Sequence, residues 1–264
     1  MTTLALSTST PHGSVALVED DRVLAEASHD DLRGHAEHLF GLIDDVFARA
    51  HRTRADVRLV ACDVGPGSFT GVRVAVASAK GIAVGLGLPL AGVVSLEAMA
   101  AHARSEWIAS RALSTADRAG PAIEASGGDE PLFAVAIDAK KDELYIAVYD
   151  GDEALLAPEH APRRAASERV LSVAGDRPIV SIVDAEPFVD FAGPADRITR
   201  RLVAPPSAAW VARVAVRRLS ASGATIARGA STDPAEVVPL YVRAPDAVPA
   251  TPKATGAFAT LPPR

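Results

Sequence analysis

The chain has 264 residues, enough for two lobes that each bury a core. Hydrophobic residues make up 48%, which excludes a disordered chain, and a net charge of −6 excludes the basic surface needed to grip nucleic acid unaided. The single cysteine, Cys62, lies in an apolar run without a partner, which excludes a disulfide framework and fits a reducing, cytoplasmic compartment. The first residues enter a strand at once, and no uncharged apolar stretch reaches the length of a membrane span, so neither a signal peptide nor a membrane anchor is expected.

Three short strands are predicted at 3–9, 14–19 and 22–28, separated by Pro11-His12-Gly13 and by Glu19-Asp20-Asp21. A helix follows over 34–50. Its apolar positions Leu39, Phe40, Leu42, Ile43, Val46 and Phe47 span an arc of roughly 160° at about 100° per residue, wider than a single core contact requires. One edge of that arc is therefore a candidate partner surface. A strand at 57–64 leads into Gly65-Pro66-Gly67-Ser68-Phe69-Thr70-Gly71, and a helix is predicted over 70–85. The three glycines and the proline impose a tight path, and such a turn presents amides where anions bind. No Lys-Ser or Lys-Thr follows, so it is not a P-loop. The helix behind it is apolar almost all round, which predicts cover on more than one side. Ala77, Gly81 and Gly85 recur every four residues and would admit a close helix neighbour. A strand at 90–94 completes the first lobe.

The second lobe opens with a helix over 95–108 and a loop over 113–130. A hairpin is expected from strands at 132–137 and 143–149 around Asp138-Ala139-Lys140-Lys141-Asp142. Beyond it come short apolar runs at 179–183 and 187–191, a helix over 207–219 and a strand over 237–242. The predicted division is 1–102, 103–206, a helix and strand over 207–243 that pack back on the lobes, and a disordered tail over 244–264. No internal repeat at a short fixed period is evident.

A strand meander, then helix, strand, helix and strand, followed by a second α/β lobe, suggests the two-lobed actin/Hsp70/sugar-kinase-like (ASKHA) fold. Within that class the heptapeptide at 65–71, continuing through Arg73 to Ala79-Lys80-Gly81, resembles the TsaB (YeaZ) family. Three further segments agree with it. Ile137-Asp138-Ala139-Lys140-Lys141-Asp142-Glu143-Leu144-Tyr145 is similar to the family's Ile-Asp-Ala-Arg-x-x-Glu-Val-Tyr hairpin. His35 followed by Leu39 is similar to its His-x-x-x-Leu helix start, and Pro239-Leu240-Tyr241-Val242-Arg243 to its C-terminal Pro-x-Tyr-Leu-Arg strand.

The resemblance implies a scaffold subunit of the bacterial machinery that adds threonylcarbamoyl to the adenosine beside the anticodon in tRNAs reading ANN codons. Its implied partners are a catalytic TsaD-like paralogue, as a heterodimer, and a TsaE-like ATPase. A homodimer is the alternative when the chain is alone, and tRNA is met only through the complex. The implied partner interface is His35, Leu39, Phe40, Phe47, Ala77, Gly81 and Gly85. No catalytic residue, cofactor or metal is expected. The rival reading is a standalone ATP-dependent small-molecule kinase or ATPase, or a glycoprotease-like metallopeptidase, of the same superfamily.

The family usually carries Asp where this chain has Ser7, so Ser7-Thr8-Ser9-Thr10 reads as a hydroxyl-rich turn without a fixed charge. His35 and His38 share a helix face at metal-ligand spacing, but no third ligand is evident, and a helix-terminal or interface role for His35 is preferred. Asp138, near Asp142 and Glu143, suits acid–base chemistry or, preferably, a polar hairpin loop. Ser68 has no base beside it and lies outside a nucleophile elbow. Arg73 and Lys80 either bind an anion, pair with acids, or extend along the helix surface into water.

Overall fold

The computed structural model describes residues 1–31, 34–116, 130–186, 190–221 and 233–243. In the first lobe, β1 (Thr2–Ser7), β2 (Gly13–Glu19) and β3 (Arg22–His29) form an antiparallel meander. After α1 (His35–Ala50) the chain returns as β4 (Val57–Asp63), which pairs parallel to β1 with Leu4 beside Val60. Then come α2 (Phe69–Leu86) and β5 (Leu90–Val93), parallel to β4. The sheet order is β3-β2-β1-β4-β5.

The second lobe repeats this plan. β6 (Leu132–Lys140), β7 (Glu143–Asp150) and β8 (Glu153–Pro162) form a meander, α4 (Arg163–Ala174) follows, and β9 (Ile179–Val183) and β10 (Ile198–Val203) complete the sheet. Its order, read from β8, is β8-β7-β6-β9-β10, with β9 parallel to β6 and β10 parallel to β9. Two sheets with the same meander-then-parallel topology constitute the two-lobed α/β architecture of the actin/Hsp70/sugar-kinase class. The duplication lies in strand order, which residue periodicity does not reveal.

Two helices exchange between the lobes. α3 (Ser95–Ala116) leaves the first lobe and packs Leu96, Met99, Ala100 and Ala103 on the second sheet among Phe133, Val135, Val180 and Ile182. α5 (Ala208–Ala221) leaves the second lobe and returns to the first sheet, where Ala208, Ala209, Val211, Ala212 and Ala215 meet Ala5, Ala16, Leu59 and Ala61. Alanine on both surfaces brings helix and sheet close together. The predicted boundary at 102 thus falls inside one continuous helix. α3 also runs past the predicted end at 108, since Arg111, Ala112, Leu113 and the residues to Ala116 are unbroken by glycine or proline.

Other boundaries differ more. The hairpin strands β6 and β7 nearly meet, leaving a turn in which Lys140, Lys141 and Asp142 all have positive φ. β8, α4 and β10 were not predicted. The predicted strand at 237–242 does not form. Pro239 lacks an amide, and only the Leu240 amide bonds to the sheet region, through the Val64 carbonyl. Most of the expected loop at 113–130, the first residues of the apolar run 187–191 and the expected tail at 244–264 lie outside the described residues.

The α5 contact yields a direct test. Ala212→Leu inserts a side chain where no space exists, and should cost about 1–3 kcal/mol in urea unfolding. An unchanged midpoint would mean that α5 is not seated on the first sheet.

Candidate functional site

The sequence singled out the glycine turn, and the structure shows what constrains it. A Cβ added at Gly67 would lie 2.2 Å from the Ser9 carbonyl oxygen, and one at Gly71 would lie 1.9 Å from that of Thr8. Only glycine fits at either position, because two backbones touch there. The Ser68 amide donates to the Ser9 carbonyl at 2.6 Å, and Thr8 Oγ1 donates to the Gly71 carbonyl at 2.7 Å. Ser68 caps α2, its Oγ accepting from the Gly71 amide at 3.2 Å. Two of the amides expected to bind an anion are therefore committed within the chain. The Gly65–Pro66 peptide is cis.

Beneath this junction lies Asp63, fully buried at the end of β4. Its carboxylate accepts from Ser7 Oγ at 2.8 Å, the Thr8 amide at 3.4 Å, the Ser9 amide at 3.3 Å and Ser95 Oγ at 3.4 Å. Burial pushes the Asp63 carboxyl up, and the hydrogen bonds from Ser9, Ser7 and Thr8 oppose that shift without cancelling it. The turn at 7–10 therefore does sit on an acid, supplied by β4. Sequence reasoning missed Asp63; the only signal was an acid closing the apolar run Leu59–Cys62.

A histidine cluster abuts the same turn. His35 is buried in the first turn of α1, and His29, at the end of β3, is the group that joins it. The Asp31 amide donates to His29 Nδ1 at 3.1 Å, so neutral His29 carries its proton on Nε2 and donates to His35 Nδ1, 3.2 Å away. The His38 ring lies 4.8 Å from that of His29. Burial, then the charge of His38, lowers the His29 pKa, with Asp31 and Asp30 opposing. Burial, then His29, lowers that of His35, with the Thr10 backbone and Asp31 opposing. Among the described residues no group of three or more His, Cys, Asp or Glu is arranged to hold a metal.

Between the lobes lies a cleft of about 840 Å³, with Pro66, Gly67 and Ser68 on one wall and Asp138, Lys140 and Asp184 on the other. Burial pushes Asp138 upward, but Lys140, through its Nζ at 2.7 Å and its amide at 3.0 Å, together with Arg163, holds it below the usual range. Burial raises Asp184, offset in part by the Asp138 amide. Asp138 is thus paired inside its hairpin, within the last residues of β6. Arg73 and Lys80 reach the C-terminal segment. Arg73 stacks on Phe69, donates to the Tyr241 hydroxyl at 2.9 Å, and Lys80 Nζ donates to the Ala235 carbonyl at 3.2 Å.

The expected interface residues divide. His35, Leu39 and Phe47 are buried in the chain's own core with Ile43 and Val46, so they present no surface to a partner. Phe40 is 59% exposed and is the outward edge of the apolar arc. α2 buries Val72, Ala75, Val76, Ala79 and Ala83 against the first lobe and leaves Ala77, Gly81, Val84 and Gly85 exposed. Nothing lies within 4 Å of a Cβ built on Gly81 or Gly85. The cover expected on a second side of α2 is therefore not provided by the described residues. α2 is long and apolar enough to span a membrane by length and composition, but one face of it packs on the first sheet.

Two tests follow. Asp63→Asn removes a buried charge but sets an amide NH₂ against several donors, and the lost acceptors should dominate at about 2 kcal/mol or more in urea unfolding. A neutral or stabilising result would mean that desolvation dominates. Because folding lowers the pKa of His29 and His35, the unfolded chain takes up protons first below about pH 6.5. Their contribution is complete above that value and is lost as pH falls toward the folded pKa values. Half-buried His102 shifts the same way, through desolvation. Urea midpoints should drop between about pH 7 and pH 5.5, and less steeply in His35→Asn, which keeps an acceptor but does not titrate. Equal slopes would exclude the pair.

Comparison with known proteins places this architecture. Residues 22–175 match the family described as TsaD: tRNA N6-adenosine threonylcarbamoyltransferase. The tRNA threonylcarbamoyladenosine biosynthesis protein TsaB of Escherichia coli is 34% identical over 155 residues, 58% of this chain and 57% of that protein. An uncharacterized protein of Mycobacterium tuberculosis is 31% identical over 252 residues, covering 94% of each chain. The crystal structure of YeaZ from Pseudomonas aeruginosa superposes with a TM-score of 0.64 at 27% identity, covering 91% of this chain and 99% of that one. With a family model matched over more than half of its length and a YeaZ fold matched over nearly all of it, the chain belongs to the TsaB (YeaZ) family.

Proposed function

We propose that the chain is the scaffold subunit of a complex that adds threonylcarbamoyl to the adenosine next to the anticodon in tRNAs reading ANN codons. Membership of the TsaB family carries this reading, and the E. coli relative's name supplies the pathway. The partners are a TsaD-like paralogue, which performs the transfer, and a TsaE-like ATPase. The setting is the cytoplasm.

The docking surface is the exposed stripe of α2, Ala77, Gly81, Val84 and Gly85, with exposed Phe40 of α1 as a second apolar element. Small residues with open space above them let a partner helix approach to backbone distance, and Phe40 and Val84 supply apolar area to bury. His35, Leu39 and Phe47, buried beneath α1, instead fix its position from below. The acidic balance of the chain opposes a polyanion at long range, so tRNA is reached through the complex.

Gly81→Leu and Val84→Arg should each weaken association with the TsaD-like partner by about 1.4 kcal/mol, a factor of ten, or more, with unchanged melting of the isolated chain. Isothermal titration calorimetry reads this directly. Unchanged affinity in both variants would remove α2 from the interface. Titration of labelled tRNA with the chain alone should show weak binding at physiological salt, rising when the partner is added. Tight binding by the chain alone, with a steep salt dependence, would make it a tRNA-binding subunit instead.

A further inference from the structure

The C-terminal segment 233–243 crosses from one lobe to the other along the cleft. Its first part is fastened to the first lobe. Lys80 of α2 holds the Ala235 carbonyl, Val237 is buried in the first-lobe core, and the Leu240 amide donates to Val64 at 2.7 Å, one residue beyond β4. Tyr241 packs on Phe69 with ring centroids 5.3 Å apart and accepts from Arg73. Two residues later the segment is fastened to the second lobe. Arg243 donates to the Ala139 carbonyl at 3.1 Å and pairs with Glu143 at 3.0 Å, both on the β6–β7 hairpin. Glu143 is itself paired to His160 of β8 at 2.9 Å. Leu240, Tyr241, Val242 and Arg243 all line the cleft.

The span between the two sets of anchors is short. Two residues reach at most about 7 Å when fully extended. Tyr241 on α2 and Arg243 on the β6–β7 hairpin therefore limit how far the two cleft walls can separate. Further connections between the lobes run through α3, α5 and the Ser7 Oγ to Pro206 carbonyl bond, none of which joins α2 to the tip of the hairpin. We infer that residues 233–243 form a strap that holds the interlobe cleft at a fixed opening and ties that opening to α2. The position of this segment also explains why Arg73 and Lys80 stand on an otherwise apolar helix. Each fastens the strap at one point along α2.

The strap is tested by the distance between the lobes. Cys62 is fully buried, so spin labels can be attached to cysteines introduced at exposed Arg22 of β3 and Glu168 of α4. In the full chain, electron–electron double resonance should give one narrow distance. Arg243→Glu places two carboxylates together and should replace it by a longer, broader distribution. Combining it with Glu143→Arg should restore the narrow distance. A chain ended after Glu236 should show the broad distribution as well. Circular dichroism verifies folding; if the shortened chain fails to fold, the Arg243→Glu and double variants, which leave the cores intact, decide. An unchanged narrow distance in Arg243→Glu would overturn the inference, and so would a broad distribution that the charge exchange does not narrow.

Discussion

Everything at the centre of this molecule depends on a contact between two stretches of backbone. The carbonyls of Thr8 and Ser9, at the end of β1, press against Gly71 and Gly67 so closely that no side chain fits between them. Asp63 makes that contact possible by accepting from the hydroxyls and amides of the β1 end and from Ser95 at the start of α3. A single buried carboxylate thereby fixes the turn after β1, the cap of α2 and the origin of the helix that reaches the second lobe. A buried unpaired charge would cost several kcal/mol, so the network of donors is what allows an acid to remain there.

The duplicated plan of the lobes makes their difference informative. In the first lobe α2 fills the connection between the two parallel strands β4 and β5. The equivalent connection, from β9 to β10, contains no α-helix among the described residues. The helix present only once is also the one whose outward stripe lacks cover and whose cations hold the C-terminal segment. The features that set this chain apart from a symmetric two-lobed protein thus converge on α2.

Much of the first lobe was legible in the sequence because local signals there agree. The meander has turn residues at its corners, α1 has a clear apolar arc, and the glycine turn admits few alternatives. The second lobe was harder. β8, with Pro158 and charged residues in it, and β10, with Arg200 and Arg201 in it, carry no clear apolar pattern and are held by ladders to the neighbouring strands β7 and β9. At the site, spacing found His35 and His38 but not His29, which arrives from another element. Asp63 escaped notice because an acid at a strand end reads as a turn residue until the hydroxyls of β1 are seen around it. Arg73 and Lys80 were recognised as unusual, yet their targets lie more than 150 positions away, beyond any local pattern.

The central claim is that this chain supports tRNA modification by organising a partner and not by performing the transfer. It is tested most directly by reconstitution, with threonylcarbamoyladenosine measured in tRNA by mass spectrometry. The account expects modification when the chain, the proposed TsaD-like and TsaE-like partners and threonylcarbamoyl-adenylate are all present, and none when this chain is omitted or when it is supplied without them. Full modification in its absence, or transfer by the chain alone, would contradict the account.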